Sequence, residues 1–514
     1  MIKKLTQAML ALALVGGMSA CTQRGGNDTP EPNTSTGNTY MSVAISTTQS
    51  SNMLKAEDES HNPVGEYEGR DKIKDLTVYV ISLPEGKVEK EEFTNLAPKA
   101  GKKNEYLTKA WQVDAGKKEV YVLANIANTA IKTALDDAKT KSAFETAYAA
   151  AYDMTDANGV LAAYAQYDSA NDKDIIAMNG KTEEPMEVAG GIKKEDAEKG
   201  TANCAKVNLR RLVAQTVVTR NDNADNLTIK AKRDGKEITL ATLSDLQWDV
   251  MQFEKTTYLA PMPTKAGEDA TRVKYCKTPS FDFIPANLKA FNDGAADKYF
   301  YRAMKGEAVT TFDRNTTDDK VKTLVAKPMK FVTETTHQYG GKLKVDDSTN
   351  TGEETGYRKG NTPYVLVSAK ITPSTDAWAK GQETGYSEGG DLYLGLNDGK
   401  FYSSKEKAKE ANGNDDKNVL TYKGATCYYV AWLNPYDPTD PVTSPVLRNN
   451  IYHVNIKGFK NIGYTGNPFN PTDDPKDPNE KTPDPKETLY PVNTYMAVEI
   501  IVINWGVHSY DIEL

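Results

Sequence analysis

Gly385-Tyr386-Ser387-Glu388-Gly389 has the G-x-S-x-G spacing of a hydrolase nucleophile elbow. That chemistry needs a strand leading into the serine, a helix leaving it, and a histidine in reach of the hydroxyl proton. Here a polar, glycine-rich run precedes Ser387 and the strand-like Leu392-Tyr393-Leu394 follows, so the context is reversed. The four histidines, His61, His337, His453 and His508, form no H-x-H or H-E-x-x-H pair that would bring two imidazoles to one zinc ion. His453, between Tyr452 and Val454, reads as a structural strand residue. Asp222-Asn223-Ala224-Asp225-Asn226 and Thr472-Asp473-Asp474 gather carboxylates but lack the glycine and distal glutamate of an EF-hand loop, so they read as a turn and a solvated linker. No phosphate-binding glycine fingerprint stands out. The residues assemble no catalytic constellation, and the expectation is a protein that is not an enzyme and takes no cofactor or metal.

Cysteine chemistry is confined to one place. Lys3 and Lys4 form a charged start, Ala8 to Met18 is an apolar run too short to span a bilayer, and Met18-Ser19-Ala20-Cys21 has the small residues of a bacterial lipobox. The expectation is a signal peptide over 1–20, cleaved before Cys21, with lipid such as palmitate on Cys21. The plainer alternative is an ordinary signal peptide with an incidental cysteine. Cys204, Cys276 and Cys427 share no C-x-x-C spacing, and an odd number argues against a disulfide framework. Cys427 lies in Thr426-Cys427-Tyr428-Tyr429-Val430 and reads as a buried strand residue.

The most informative pattern is a match between the two ends. Thr39-Tyr40-Met41-Ser42-Val43-Ala44-Ile45 is answered by Thr494-Tyr495-Met496-Ala497-Val498-Glu499-Ile500. In both, Met, Val and Ile fall on every second position, the mark of a strand with one apolar face. One copy can fill a sheet position built for the other. If the first copy is removed from one molecule, the last copy of a neighbour can replace it. Such an association is head-to-tail and does not close, so it yields filaments.

The elements that position these segments follow from composition and periodicity. The chain has 514 residues, 39% hydrophobic and 26% charged, with net charge −8, which argues against nucleic acid as a partner. Tyrosine outnumbers phenylalanine 28 to 12, which suits half-exposed strands and contact surfaces. Residues 22–38 are a polar tether, and Thr48 to His61 is a second polar linker that includes Lys55-Ala56, the kind of segment proteases cut. Strands are predicted over Leu76–Ile81, Glu119–Ala124, Leu212–Val218, Leu227–Ala231, Ile238–Leu240, Tyr364–Ile371, Leu392–Leu396, Cys427–Leu433 and Ile451–Ile456. Ser142-Ala143-Phe144-Glu145 fits a capping box, and Phe144, Tyr148 and Tyr152 give one apolar stripe for a helix packed across a sheet. The stretch 261–350 is less regular. Short strands with few helices predict a mainly β protein of two β-sandwich domains, with a boundary near residue 204.

Residues 465–492 are dense in Pro, Asp, Asn and Lys. About 25 residues in a polyproline path at about 3 Å each reach on the order of 75 Å. Loops of that length are uncommon inside compact domains, which favours an arm carrying the last strand, 493–514, to another molecule. The alternative is a loop returning the strand to its own sheet.

Several ordered fragments resemble the fimbrillin family of the Bacteroidales, in particular the shaft subunits of the minor (short) fimbriae of Porphyromonas gingivalis. They are Asn62-Pro63-Val64-Gly65-Glu66-Tyr67 with Asp71-Lys72-Ile73-Lys74-Asp75-Leu76-Thr77-Val78-Tyr79-Val80, Tyr357-Arg358-Lys359-Gly360-Asn361-Thr362, Glu388-Gly389-Gly390-Asp391-Leu392, and Ala431-Trp432-Leu433-Asn434-Pro435. Arg448-Asn449-Asn450-Ile451-Tyr452, Asn461-Ile462-Gly463, Gly466-Asn467-Pro468-Phe469 and the ending Ser509-Tyr510-Asp511-Ile512 complete the set. The resemblance implies two transthyretin-like β-sandwich domains and export as an outer-membrane lipoprotein. It implies removal of the N-terminal strand by a gingipain-type protease, a head-to-tail homopolymer at the cell surface, accessory tip and anchor subunits, and adhesion to host or bacterial receptors. The family cut follows an Arg in the linker after the first strand, where this chain has Lys55 before Ala56; Arg24 lies upstream and Arg70 beyond.

The resulting division is a signal peptide over 1–20, a lipidated propeptide over 21–55, sandwiches over 56–204 and 205–464, the arm over 465–492 and the donor strand over 493–514. Tyr40, Met41, Val43 and Ile45 are the placeholder residues. Tyr495, Met496, Val498, Ile500, Val502 and Trp505 are the donor residues. Burying Met496, Val498 and Ile500 contributes roughly 5–8 kcal/mol before ordering costs. Two rival expectations stand beside this one: a non-polymeric surface lipoprotein that binds glycan or protein, and a tip or anchor subunit of the same fimbriae.

Overall fold

The computed structural model describes residues 39–47, 70–156, 159–221, 223, 227–233, 235–262, 276–285, 298–301, 304–312, 328–338, 355–433, 445–469, 477–478, 480, 483–489 and 496–504. The first half contributes β1 (Thr39–Ser46), β2 (Asp75–Ser82), β3 (Val88–Thr94), β4 (Glu105–Leu107), β5 (Trp111–Val113), β6 (Gly116–Ala124), β7 (Met178–Lys181), β8 (Met186–Val188), β9 (Cys204–Asn208) and β10 (Arg210–Arg211). One sheet runs β10-β7-β6-β2-β3, with β8 also on β6; a smaller one runs β9-β1-β4, with β5 also on β1. Leu76, Val78 and Val80 alternate with Thr77, Tyr79 and Ile81 along β2, and all six are buried. A strand with both faces apolar must be covered on both, here by the smaller sheet and by helices.

Those helices are α1 (Ala130–Asp137) and α2 (Lys141–Tyr148). Phe144 of α2 lies 5.0 Å from the ring of Tyr79 and 4.9 Å from that of Tyr121, so the helix packs across the sheet as its stripe predicts. Its cap differs from the expected one. Thr140, not Ser142, accepts from the Ala143 backbone N–H, and the helix starts two residues early. Tyr152 lies beyond the helix, in the short strand Ala151–Asp153.

The boundary expected near 204 cuts a strand. β9 begins at Cys204 and pairs with β1, and β10 pairs with β7, so the chain stays with the first pair of sheets until Arg211. Lys206 and Asn208 are exposed, and their polarity hid a strand whose other face, Ala205 and Val207, is buried.

The second half contributes β11 (Val213–Arg220), β12 (Thr228–Arg233), β13 (Lys236–Met251), β14 (Met329–Thr333), β15 (Tyr364–Pro373), β16 (Thr426–Trp432), β17 (Asn450–Phe459) and β18 (Met496–Asn504). One sheet places β11 beside β17 and β17 beside β18, with β14 on the other side of β11; its partner runs β12-β13-β15-β16. The fold is therefore mainly β, two stacked pairs of sheets joined by a seam. Ala151–Asp153 pairs with Thr256–Tyr258 across that seam, and the Asn179 amide donates to the Leu259 carbonyl at 2.9 Å.

The Pro- and Asp-rich segment does not project freely where it is described. Thr465 donates its backbone N–H to the Glu480 carboxylate at 2.9 Å, and the Gly360 N–H donates to the Pro485 carbonyl at 2.9 Å. A Cβ on Gly360 would meet Pro485 Cβ at 2.4 Å, so only glycine permits this approach. The segment's described residues Pro485 and Glu487 lie against Gly360 and Lys359 of the second half, and the last strand pairs with β17. Asp477 accepts from the Thr421 N–H at 3.0 Å and Glu487 from the Lys359 ammonium at 2.6 Å, partners that composition alone does not reveal.

Candidate strand-acceptor groove

β1 is an interior strand flanked on both sides. On one side it runs parallel to β9, with Ser42 opposite Cys204, Ala44 opposite Lys206 and Ser46 opposite Asn208. On the other it is antiparallel to β5 at Thr39–Met41 and to β4 at Ala44–Ser46. The gap between β5 and β4 is bridged by Thr108, whose hydroxyl accepts from the Val43 N–H at 2.9 Å while its own N–H donates to the Val43 carbonyl at 3.0 Å.

The apolar face carries the repeated side chains. Met41 and Val43 are 0% exposed and Ile45 is 1% exposed, packed in the same core as Tyr106, Ala205 and Val207. Tyr40 is half-buried. The opposite face is also covered: the Ser42 hydroxyl donates to the Ala197 carbonyl at 2.6 Å, in α3 (Lys194–Glu198). The strand's start is clamped by polar groups that sequence reasoning missed. Thr39 donates to the Ala189 carbonyl at 2.7 Å and accepts from the Ile192 N–H at 3.0 Å, while the Asn203 amide donates to the Tyr40 carbonyl at 3.0 Å. The one available signal was that Thr39 recurs as Thr494.

The second copy of the pattern lies elsewhere. β18 pairs antiparallel with β17, with Met496 opposite Phe459, Val498 opposite Ile456, Ile500 opposite Val454 and Val502 opposite Tyr452. Met496 is buried. β18 has β17 as its one sheet neighbour among the described residues, whereas β1 has neighbours on both sides. Placeholder and donor residues are thus not brought together within one chain. Cys21, Lys55, Ala56, Tyr495 and Trp505 lie outside the described residues.

The remaining motifs take structural places. Ser387 is exposed in a loop ahead of Leu392–Gly395, with its carbonyl accepting from Gly390 N–H at 2.9 Å. His453 is buried in β17, with Nε2 2.7 Å from the Thr219 hydroxyl. Cys427 is buried in β16, and burial pushes its thiol up to about 12. Cys204, Cys276 and Cys427 are free thiols. Among the described residues no group of three or more His, Cys, Asp or Glu could hold a metal. Asp222, Ala224, Asp225 and Asn226, and the run 472–474, lie outside the described residues.

The family model "Major fimbrial subunit protein type IV, Fimbrillin, C-terminal" matches residues 420–511, which contain β16, β17 and β18. The chain is 36% identical over 541 aligned positions to the minor fimbrium subunit Mfa1 of Porphyromonas gingivalis, covering 99% of this chain and all of that one. Among solved structures it is similar to a putative cell adhesion protein of Parabacteroides distasonis, at 12% identity and TM-score 0.41, over 91% of this chain and 99% of that one. A fimbrilin (fimA) of Porphyromonas gingivalis is similar at 13% identity and TM-score 0.40, over 92% and 99% of the two chains.

Proposed function

Because this chain belongs to the fimbrillin family and is a fimbrial structural subunit rather than an enzyme, we propose that it polymerises head to tail as a shaft subunit by exchanging β1 for the last strand of a neighbour. The observation that carries this is the pair of matching segments, one of them seated between β9 and the β4–β5 edge with Met41, Val43 and Ile45 buried. Removal of β1 leaves two rows of unpaired backbone groups around an apolar trough, which is costly in water and templates an incoming strand. The match runs in the same chain direction, so an incoming Met496, Val498 and Ile500 replace Met41, Val43 and Ile45 with each flank's polarity kept.

The exchange requires β18 to leave β17. The balance favours departure because β18 trades one flanking ladder for two. Each added backbone hydrogen bond contributes about 1 kcal/mol net. In this reading a protease cuts at Lys55-Ala56 and releases the propeptide with its lipid on Cys21. Tip and anchor subunits end the polymer, and the cell-surface fimbria adheres to host or bacterial receptors. The test is assembly of processed subunits carrying Val498→Glu. Folded monomers without polymers are expected, and fibres that still form without residues 496–514 would sink the proposal.

The seat of β18 on β17 favours a second reading, in which the strand completes its own sheet and the chain is a non-polymeric surface protein or a terminal subunit. A ladder of detergent-resistant oligomers from cells distinguishes the two, since only the polymer gives one.

A further inference from the structure

The two matching segments differ at one position in charge, and the groove has a feature at that place. Ala44 of β1 corresponds to Glu499, the only charged residue between Met496 and Asn504. Ala44 is 1% exposed and lies directly opposite Lys206 of β9 in the parallel ladder. Opposite residues in neighbouring strands share a face, and Lys206 is exposed on that face. On the exchange reading, on which this inference rests, we propose that Glu499 of the incoming strand forms an ion pair with Lys206 of the acceptor, and that this pair fixes the register of insertion. β1 cannot make it, because an alanine stands there.

The apolar alternation leaves the register open. A one-residue slip turns Met496, Val498 and Ile500 to the wrong face. A two-residue slip keeps them facing the core, and Val502 is apolar as well, so hydrophobicity discriminates poorly between such registers. Charge discriminates well. In the matched register the carboxylate meets an ammonium. Slipped two residues one way, it takes the place of Ser46, opposite Asn208 and the Glu105 carboxylate. Slipped the other way, it takes the place of Ser42, opposite Cys204 and beneath α3, where the Ser42 hydroxyl now donates to the Ala197 carbonyl. A carboxylate there meets a carbonyl oxygen, an acceptor with no proton to give. Glu105 itself already receives Lys102, with Nζ 3.3 Å away. The pair is therefore a specificity device more than a source of affinity.

Charge reversal tests it with processed full-length subunits. Lys206→Glu and Glu499→Lys alone are each expected to slow polymer growth roughly tenfold at low salt, as an attraction becomes a repulsion. Lys206→Glu together with Glu499→Lys is expected to restore growth to within about threefold, with the differences shrinking at high salt. In mixtures, Glu499→Lys donors should enter Lys206→Glu acceptors in preference to wild-type ones. Lys206→Met, which keeps the aliphatic stem, should fall between, and circular dichroism of each monomer separates assembly from folding defects. Polymers that grow equally in all variants, or losses that add without rescue, overturn the ion pair while leaving strand exchange standing. Normal growth of the Val498→Glu subunit overturns the exchange itself.

Discussion

Arg211 grips Asp71 with two donors, Nε to Oδ1 at 3.0 Å and Nη2 to Oδ2, and neither side chain reaches solvent. Asp71 lies just beyond the second polar linker, and Arg211 is the last residue of the first pair of sheets before β11. The contact therefore ties the start of the continuous fold to the junction of its two halves. Removing one partner of a buried pair leaves an uncompensated charge, so Arg211→Met is expected to cost about 3–5 kcal/mol in denaturant unfolding. Asp71→Asn with Arg211→Met should recover part of that loss.

The neighbouring Arg70 bears on processing. Its guanidinium donates to Asp172 at 2.7 Å and Asp174 at 3.1 Å and stacks 4.2 Å over the Tyr167 ring. A protease that reads arginine must take that group into its own pocket, and these contacts withhold it. N-terminal sequencing of the assembled fibre is expected to begin at Ala56; a start at Asp71 or Gly25 would refute cleavage at Lys55.

Val43→Ala discriminates between a permanent and a temporary strand. Deleting buried methyl groups from a side chain with 0% exposure is expected to destabilise the precursor by about 2 kcal/mol. If processing removes β1 as proposed, the processed fibre should melt at the wild-type temperature. An equal loss in both forms would show that β1 stays in place.

Gly180 of β7 guards the flank of the groove. A Cβ there would lie 2.3 Å from the Asn208 carbonyl oxygen and 2.8 Å from Val207 Cγ1, both in β9. Backbone cannot yield as a flexible side chain can, so Gly180→Ala should displace β9 and cost about 1–3 kcal/mol. The expected signature is faster amide exchange along β9 than in β16, the more distant sheet serving as control.

His337 sets an acid limit. It is buried, its Nε2–H donates to the Asn361 carbonyl at 3.0 Å, and burial pushes its pKa down to about 4. Between pH 6.5 and 4 the unfolded chain binds the proton that the folded one refuses, so stability is lost as pH falls through that window and is fully present above it. The loss is on the order of 3 kcal/mol. Unfolding midpoints at pH 7 and 4.5 should differ less for His337→Gln than for the wild type.

Long strands were legible because their residues carry the signal themselves. The Leu76–Ile81 and Tyr364–Ile371 runs fall within β2 and β15, where β-branched and aromatic side chains fill both faces. β4 and β5 were invisible: three residues each, Glu105-Tyr106-Leu107 and Trp111-Gln112-Val113, are too short for periodicity and exist because β1 pairs with them. Thr140 outcompeted Ser142 as a cap because Lys141 and Ser142 already sit inside the first turn. At the groove, the apolar residues could be read from the repeat. Asn203 and Thr108 could not, since their roles come from contact with β1, a strand distant in sequence.

If β1 is exchanged as proposed, the mixed pairing around it makes the vacated seat a one-way socket. A parallel neighbour and antiparallel neighbours present their N–H and C=O groups in different rhythms, and a strand entering backwards would meet the wrong rhythm on both sides. On the proposed strand exchange, a filament grown through such sockets is an arrow with unlike ends. A processed subunit lacking residues 496–514 could accept but never donate, and would poison growth at one end while the other went on lengthening.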